Sequence, residues 1–515
     1  MKKILLLFLM LCHCLALFSQ ENNSAPQKQT QKGFLAIDYA SVKMPTDQFG
    51  APENNMGLAG VHYNIWLNKS VYGGLGFYGS IHGTRGGLFT LGANLGIKTN
   101  LSEYLFLDTG FHIGGGGGAS APDGGGAFIM PHANLGYQFK NFSAFAGYSA
   151  INFFDKGNIN SQQLNIGLQI PVSFDHASFQ SKERTYTFNT LKTTNWNQTS
   201  NRISLLFHLN NLSVTGNSQN IGGSNLVGNT IRLAGFELNS YISDHWFVFF
   251  RADGAYHGIP AGYMDILFGG GYHLSFNNNS THIISKFGIG AGGGGGVDTQ
   301  GGFLISPDIS LEQKMYKDLY LSINKGYLLT PNSHFTASTY GIGLKYYAHT
   351  NGILSKGNTV FTKAKFKGIQ ITIQQEMYFN AKRGSNPTEN LQQISLQGNL
   401  FLNKYIYVAG QTSFANFGNA GAYAEGIVGL GINSKPILHK KITAFAQLLG
   451  GAAGGGDIST GQGFIIKPNI GINYDLNDKL SIRASVGKVT ARGGKLNSTS
   501  ISFGFSYNIS FLTSN

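Results

Sequence analysis

The stretch GGGGGASAPDGGGAFIMP, from Gly114 to Pro131, decides the fold because the chain repeats it. Nearly the same passage returns as GGGGGVDTQGGFLISP, which ends at Pro307, and as GGAAGGGDISTGQGFIIKP, which ends at Pro468. The prolines are separated by 307 − 131 = 176 and 468 − 307 = 161 residues, which is the size of a whole domain. The recurrence therefore predicts three structural units in this chain of 515 residues.

The glycine runs do not match a phosphate-binding loop. Such a loop needs Gly-Lys-Ser/Thr and a helix N-terminus after its glycines, and neither follows in this sequence. We expect each run at the outer end of the fifth strand of its unit, where glycine permits sharp coiling and close strand approach. The proline that follows is tolerated near a strand start because it withholds only one ladder donor.

The overall composition favours a sheet protein. Glycine accounts for 72 residues, aromatic residues for 13% and charged residues for only 12%, while proline is scarce. These values exclude collagen, coiled coil and a typical disordered chain.

The N-terminal sequence MKKILLLFLMLCHCLALFSQ predicts a secretory signal peptide over residues 1–20. Cys12 and Cys14 invite a lipoprotein interpretation, but the residues before them are too large for the small-residue position of a lipidation motif. Cleavage near Ser19 would leave a mature chain without cysteine. That excludes disulfides, thiolate catalysis and metal sites with cysteine ligands.

After the signal peptide, no apolar run is long enough for a transmembrane helix. Period-two alternation is present instead, most clearly in ISFGFSYNISF, residues 501–511, where large apolar side chains alternate with Gly, Ser and Asn. An exported chain with such strands can still enter a membrane as a closed sheet. A soluble sandwich also alternates, so alternation alone does not separate the two.

The lengths of the connections separate them. Each unit contains eight predicted strands, and long polar loops such as KMPTDQFGAPENN alternate with tight turns such as LNKSVY. Long loops on one side, tight turns on the other, an even strand number and strands of about 9 to 11 residues are typical of a transmembrane β-barrel. The predicted fold class is therefore all-β, a transmembrane antiparallel up-and-down barrel.

The chain resembles the eight-stranded outer-membrane proteins of the OmpA, OmpX and OmpW type, in three tandem copies from Gly33 to Phe511. Its signal peptide is similar in style to those of Bacteroidota. The final strand also resembles the targeting strand that the outer-membrane assembly machinery recognises, although LTSN follows Phe511 where the family usually ends on the aromatic residue. The resemblance implies an outer-membrane location, with membrane lipid, lipopolysaccharide and the assembly machinery as partners.

Twenty-four strands could form three barrels or one large barrel of about 24 strands. Long segments between the units and glycine on the inward parity favour three narrow barrels, and no plug-sized domain is present to fill a wide lumen. The predicted units are the signal peptide (1–20), barrel repeat 1 (33–175), a linker (176–201), barrel repeat 2 (202–347), a linker (348–366) and barrel repeat 3 (367–511).

No catalytic, cofactor-binding or metal-binding residue is predicted. His82 and His257 occupy corresponding loops, but the third unit has no matching histidine and no partner recurs at fixed spacing, so we interpret both as loop residues. Asp108 and His112 share the inward parity of the fifth strand, where Lys286 lies in the second unit. A buried polar pair that fills a narrow barrel explains them better than a catalytic dyad.

The formal net charge of +13 falls partly in the linkers. On the periplasmic side, these residues could contact anionic peptidoglycan or lipid head groups, although solubility and turn chemistry explain them without a partner. Nucleic acid is an unfavourable partner for an exported chain without a basic, aromatic groove. The linker residues in question are Lys182, Arg184, Lys192, Lys356, Lys363 and Lys365.

Three functions are compatible with these observations. The first expectation is a structural or surface-interaction role without enzymatic activity. The alternative is a pore or transporter formed by a single wide barrel, and a second alternative is a lipid-modifying barrel enzyme. The linkers discriminate between the first two, because flexible tethers would favour the former and paired or packed strand extensions the latter.

Overall fold

The computed structural model describes residues 26–46, 50–331, 334–355, 361–438 and 441–514. The predicted signal peptide lies outside these residues. The described chain is almost entirely antiparallel strand, with one short α-helix. No helix in the described ranges is long and apolar enough to cross a membrane.

The first eight strands form a closed ring, barrel 1. Each strand pairs with its sequence neighbours, and β1 pairs with β8 over 12 residue pairs, from Gln29↔His176 to Ala40↔Asn165. The strands are β1 (Gln29–Val42), β2 (Met56–Trp66), β3 (Val71–His82), β4 (Phe89–Asn100), β5 (Leu105–Gly117), β6 (Phe128–Gln138), β7 (Ser143–Phe153) and β8 (Asn160–His176).

A second ring, barrel 2, follows a segment that contains the short strand β9 (Thr185–Tyr186) and the helix α1 (Phe188–Lys192). Its first and last strands, β10 and β17, pair over 15 residue pairs. The strands are β10 (Asn201–Thr215), β11 (Thr230–Tyr241), β12 (Trp246–His257), β13 (Met264–Phe276), β14 (Thr281–Gly293), β15 (Phe303–Tyr316), β16 (Leu319–Leu329) and β17 (Thr336–Thr350).

Barrel 3 is closed by 15 residue pairs between β18 and β25. Two further pairs, His349↔Ser514 and Thr350↔Thr513, join its last strand to barrel 2. The strands are β18 (Ala364–Ala381), β19 (Glu389–Phe401), β20 (Ile406–Phe417), β21 (Ala424–Asn433), β22 (Ile442–Gly454), β23 (Phe464–Asp475), β24 (Leu480–Ala491) and β25 (Asn497–Ser514).

The outer surface of the rings is apolar and the inside is polar. On β8, for example, Leu164 and Ile166 are 74% and 59% exposed, while the intervening side chains of Gln163 and Asn165 are buried inside the ring. A continuous exposed belt of this kind is unfavourable in water and is the normal lipid-facing surface of a membrane barrel. The all-β antiparallel barrel predicted from the sequence is confirmed.

The tight turns share one local motif. In the turn after β2, the side-chain oxygen of Asn68 accepts hydrogen bonds from the backbone N–H groups of Ser70 and Val71, at 2.9 and 2.8 Å. Asn403 and Asn477 make the same contacts in two turns of barrel 3. Asparagine is favoured here because its side chain closes the turn on its own backbone. We call this side of the molecule the turn end and the opposite side the loop end.

The glycine runs join the barrels to one another at the loop end. A Cβ atom added at Gly115 of barrel 1 would lie 2.5 Å from the carbonyl oxygen of Ala415 in barrel 3. Similarly, a Cβ added at Gly454 of barrel 3 would lie 2.6 Å from the carbonyl carbon of Ala261 in barrel 2. No side chain fits at these positions, so the recurring glycines allow the backbones of neighbouring barrels to touch.

These contacts run in one direction around the molecule. The run of barrel 1 packs on barrel 3, the run of barrel 2 on barrel 1, and the run of barrel 3 on barrel 2. Hydrogen bonds reinforce two of the contacts: Gly86 N–H donates to the carbonyl of Gln300 at 2.6 Å, and Gly421 N–H donates to that of Gly124 at 3.1 Å. The recurrence of the glycine stretch thus has a physical role that single-barrel reasoning does not reveal.

An apolar cluster fills the space where the three barrels meet. Phe77 of barrel 1 stacks on Phe268 of barrel 2, with ring centroids 5.9 Å apart and planes only 6° from parallel. Residues of all three barrels belong to this cluster, so the central axis is closed at this level by apolar side chains. Its members include Phe89, Leu91, Phe250, Ile266, Ala291, Leu396 and Phe414.

The linkers between barrels are packed at the turn end. Trp196 is fully buried in a cluster with residues of both linkers and of β18 and β25, and its indole N–H donates to the carbonyl of Pro26 at 2.9 Å. The short strand β9 pairs with the start of β18, and Ala177 bridges to Ser510. β8, β18 and β25, at 17 or 18 residues, are longer than the predicted 9 to 11, and at their turn ends they contact these linkers.

Candidate functional sites in the barrel lumens

The structure places the two loop histidines of the sequence prediction at equivalent points. His82 is the last residue of β3 and His257 the last of β12, and Phe417 ends the corresponding strand of barrel 3. His82 is exposed and lines a cleft of about 920 Å³ between barrels 1 and 2, together with Gln300 and His334. Among the described residues, no group of three or more His, Cys, Asp or Glu side chains could hold a metal ion.

Asp108 and His112 both point into barrel 1 but do not pair. Asp108 accepts hydrogen bonds from the Tyr72 hydroxyl at 2.8 Å and from the Gln169 amide at 2.7 Å. His112 instead contacts the amide oxygen of Asn94 through Nδ1, at 2.6 Å. The two side chains therefore belong to separate parts of a polar network that fills the middle of this lumen.

Barrel 2 contains the densest set of buried charges, and its middle layer is built around Lys286 and Arg251. Lys286 donates to Glu237 at 2.7 Å and lies 3.3 Å from Asp308. Arg251 Nε lies 3.0 Å from Asp253, whose second oxygen contacts His208. All of these side chains are at least 90% buried. Alternation explains their position, because each lies on the inward parity of its strand.

A second group of charges lies nearer the turn end of barrel 2. Glu312 accepts hydrogen bonds from Lys345 at 2.8 Å and from the Tyr347 hydroxyl at 2.6 Å. His282 lies 3.3 Å from the same carboxylate. At the mouth, the guanidinium of Arg202 stacks over the ring of Tyr347 at 4.7 Å. Charged and hydroxyl groups therefore extend from the middle of this lumen to its turn end.

Barrel 3 has one buried cation between two carboxylates. Lys467 Nζ lies 2.8 Å from Glu376 and 3.0 Å from Glu425, and all three side chains are almost completely buried. The Tyr378 hydroxyl also donates to Glu425, at 2.7 Å. Nearer the turn end, Arg483 donates to the Gln447 amide oxygen at 3.0 Å.

An apolar layer separates each polar lumen from the loop end. In barrel 2, the inward side chains of Leu233, Leu304 and Leu328 are fully buried there, beside Phe335. Barrel 1 has a corresponding layer that includes Met56, and barrel 3 one that includes Ile465. Hydrophobic constrictions of this kind exclude water and can gate a pore by dewetting.

Several buried polar atoms of barrel 2 have no hydrogen-bond partner among the described residues. They include both side-chain atoms of Asn239, the hydroxyl of Ser204, Oε1 of Glu237 and both carboxylate oxygens of Asp265. The nearest cation to Asp265 is Arg251, whose Nη2 lies 3.8 Å away. Unsatisfied buried groups are rare in folded proteins, so their concentration in one lumen marks that lumen as a candidate functional site.

Two ionisable groups outside the strands have shifted pKa values. Asp123, in the loop after β5, is buried, and this burial raises the pKa of its carboxyl to about 7, although Gly118 N–H donates to it at 2.8 Å. Burial lowers the pKa of Lys182, in the first linker, to about 8. The ammonium of Lys182 lies 4.0 Å from the ring of Phe179. Of the linker cations considered above, Lys365 pairs with Glu183, while Lys356 lies outside the described residues.

Sequence reasoning missed the lumen networks of barrels 2 and 3. The available signal was the presence of charged residues on the inward parity of otherwise apolar or small strands, as for Glu237, Arg251 and Lys467. Pairing could not be predicted, because it depends on the stagger of strands that are far apart in the chain.

No protein-family profile and no curated protein matches the chain. Solved structures do match it, at low similarity. OpdQ of Pseudomonas aeruginosa is 7% identical, with 93% of this chain and 98% of that chain covered and a TM-score of 0.21. The ferric enterobactin receptor PfeA is 9% identical over 94% and 82%, with a TM-score of 0.27. The siderophore receptor PirA of P. aeruginosa is 7% identical over 94% and 80%, also with a TM-score of 0.27.

The expectation of a structural or surface-interaction role is wrong. The matched proteins are outer-membrane barrels that act as porins and siderophore receptors, and they fit the alternative of a pore or transporter better. The packed linkers point the same way, because flexible tethers were the feature expected of the first role.

Proposed function

We propose that this protein is a gated pore of the outer membrane, with its passages inside the individual barrels. The observation that carries the proposal is the layered lumen, in which a polar and charged middle section is closed at the loop end by apolar side chains. The apolar cluster on the central axis makes that axis an unfavourable route for water or ions.

The buried charges are difficult to explain by stability alone. Replacing a buried ion pair by well-packed apolar side chains is often neutral or stabilising by about 1–4 kcal/mol. Barrel 2 nevertheless retains Lys286 between Glu237 and Asp308, and barrel 3 retains Lys467 between two carboxylates. Polar groups that line a lumen are the usual means by which a pore replaces the hydration shell of a permeating ion.

The apolar layer serves as the gate in this proposal. Leu233, Leu304 and Leu328 converge from three strands of barrel 2 on the loop side of the charged section. Smaller or polar side chains there would let water reach Asp265 and the charges beyond it.

Planar-bilayer recordings test the proposal. The variant L233A/L304A/L328A should give frequent, uniform conductance steps, whereas the wild type should be closed for most of the recording. Because each leucine truncation costs about 2–5 kcal/mol, the single variant Leu304→Ser provides a milder opening of the same layer. Heat-modifiable migration on a gel establishes that each variant is folded.

The matched control replaces three outward-facing leucines of the same barrel, L274A/L311A/L344A. This control should keep the wild-type recording, because its side chains face lipid. Folded, inserted gate variants that remain as silent as the control would overturn the proposal.

Further parts of the proposal concern the setting of the protein. We place it in the outer membrane with its long loops outside, after cleavage of the signal peptide, and as a non-enzymatic protein. Each barrel is taken as an OmpA-like unit of the Bacteroidota style. Membrane lipid, lipopolysaccharide and the assembly machinery are its proposed partners. The exposed apolar belt and the final strand support these assignments.

A further inference from the structure

We propose that the lumen of barrel 2 holds a monovalent cation at a site formed by Glu237, Asn239 and Ser204. This inference rests on the proposed pore, because it names the class of ion that the lumen admits. It follows from the chemistry and arrangement of the unpartnered atoms and from the charge balance around them.

The three side chains are brought together by strand register. Asn239 lies directly opposite Ser204 on the neighbouring strand, and Glu237 is two residues from Asn239 on the same inward face. Directly opposed residues have Cβ atoms about 4.5–5.5 Å apart, so the three polar groups border one space. Each of these residues is at least 99% buried.

The free atoms at this site are mainly oxygen acceptors. Glu237 Oε1, Asn239 Oδ1 and Ser204 Oγ have no hydrogen-bond partner among the described residues. The other Glu237 oxygen is occupied by Lys286, at 2.7 Å. Hard cations prefer carboxylate, amide and hydroxyl oxygens of this kind.

The charge balance of the lumen also favours a cation. The buried acidic residues number five and the buried Lys and Arg residues three, and Arg202 at the turn-end mouth makes four bases. With the histidines counted as neutral, 4 − 5 gives a net charge of −1. The acids are Glu237, Asp253, Asp265, Asp308 and Glu312, and the buried bases are Arg251, Lys286 and Lys345.

A divalent ion fits the site less well. Calcium takes six to eight oxygen ligands, often with more than one carboxylate. Here one carboxylate oxygen is free, and the ammonium of Lys286 lies against the other oxygen of the same group. Neighbouring orphan oxygens on Asp265 lie nearer the apolar layer and provide a second position for the same ion along the lumen.

Crystals of the full chain grown in rubidium bromide test the site directly. Anomalous maps recorded at the rubidium and bromine absorption edges distinguish cation from anion at one position. We expect a rubidium peak between Glu237, Asn239 and Ser204 that disappears in the variant Glu237→Gln. A bromide peak there, or no peak in wild-type crystals, would overturn the inference.

Ion selectivity gives a second measurement, in the Leu304→Ser background. The ratio of cation to anion permeability, from reversal potentials in a potassium chloride gradient, should fall by about threefold or more when Glu237 is replaced by Gln. Anion selectivity of the parent channel would contradict the cation site but leave the pore intact. A silent Leu304→Ser channel with a rubidium peak would instead sink the pore and keep the ion site.

The matched control for both measurements is Glu312→Gln, farther towards the turn end. Its carboxylate is fully engaged by Lys345, Tyr347 and His282. This variant should keep the rubidium peak at Glu237, and its loss there would show that any carboxylate removal empties the lumen, against the inference.

Discussion

Gly293 of barrel 2 packs directly on Gly86 of barrel 1, so that a Cβ atom at Gly293 would lie 2.6 Å from the Gly86 carbonyl group. Gly293 also has a φ of +152°, a backbone conformation that favours glycine. The contact ties two separately closed barrels together through backbone alone.

The substitution Gly293→Ala should therefore weaken the contact between barrels 1 and 2. We expect a loss of about 2–4 kcal/mol, in the range of strain and overpacking effects. Heat-modifiable migration measured against temperature reports this loss. The control Gly410→Ala faces open space, with only Val428 at 3.9 Å, and should melt like the wild type. Equal melting of both variants would contradict the packing role.

Lys467→Met should be strongly destabilising. It leaves Glu376 and Glu425 as two buried carboxylates without their cation, a change that typically costs about 3–5 kcal/mol. Guanidinium unfolding in detergent, followed by circular dichroism, measures the loss. Replacing both glutamates by glutamine in the same chain should recover much of the stability. A triple variant as unstable as Lys467→Met would show that packing, and not charge, was lost.

Asp123 makes stability depend on pH. Its folded pKa is about 7, whereas an unfolded aspartate has a pKa of about 3.9. The folded state thus holds the proton more tightly, so the free energy of unfolding falls as pH rises from about 4 to about 7 and is then constant. Asp123→Asn should be more stable than the wild type at pH 8, on the order of a few kcal/mol since one pKa unit is about 1.4 kcal/mol.

Thermal melts of both proteins from pH 4 to pH 8 give the comparison. The stability advantage of the Asp123→Asn variant should shrink steadily below pH 7 and disappear near pH 4. A difference that is the same at every pH would exclude ionisation of Asp123 as its cause.

Trp196 holds the first linker in place. Its side chain is fully buried against both linkers and β25, and truncating a buried aromatic residue costs about 3–5 kcal/mol. Trp196→Ala should therefore let trypsin cut between barrels 1 and 2, after Lys182 or Lys192. The wild type and the exposed-residue control Asn189→Ala should resist the same digestion. Rapid cleavage of the wild type would mean that the linker is a loose tether.

The sequence was sufficient to predict the barrel class, because alternation on each strand and turn chemistry such as that of Asn68 are local properties. It was not sufficient to assign the role of the glycine runs. Gly115 meets Ala415, 300 residues away, and no local pattern encodes that contact. The lumen site was hidden for the same reason, since the opposition of Ser204 and Asn239 depends on register, although each residue's inward parity is visible.

The one-way order in which the glycine runs pack has a consequence for symmetry. Three identical subunits in a ring must share one interface and one interior, but three barrels on a single chain are free of that restriction. Barrel 2 can hold five buried acids while barrel 3 holds two, Glu376 and Glu425, without loss of the ring. The contact between the first and last barrels also completes the ring only after the whole chain has been made, which couples assembly to synthesis of the final strand.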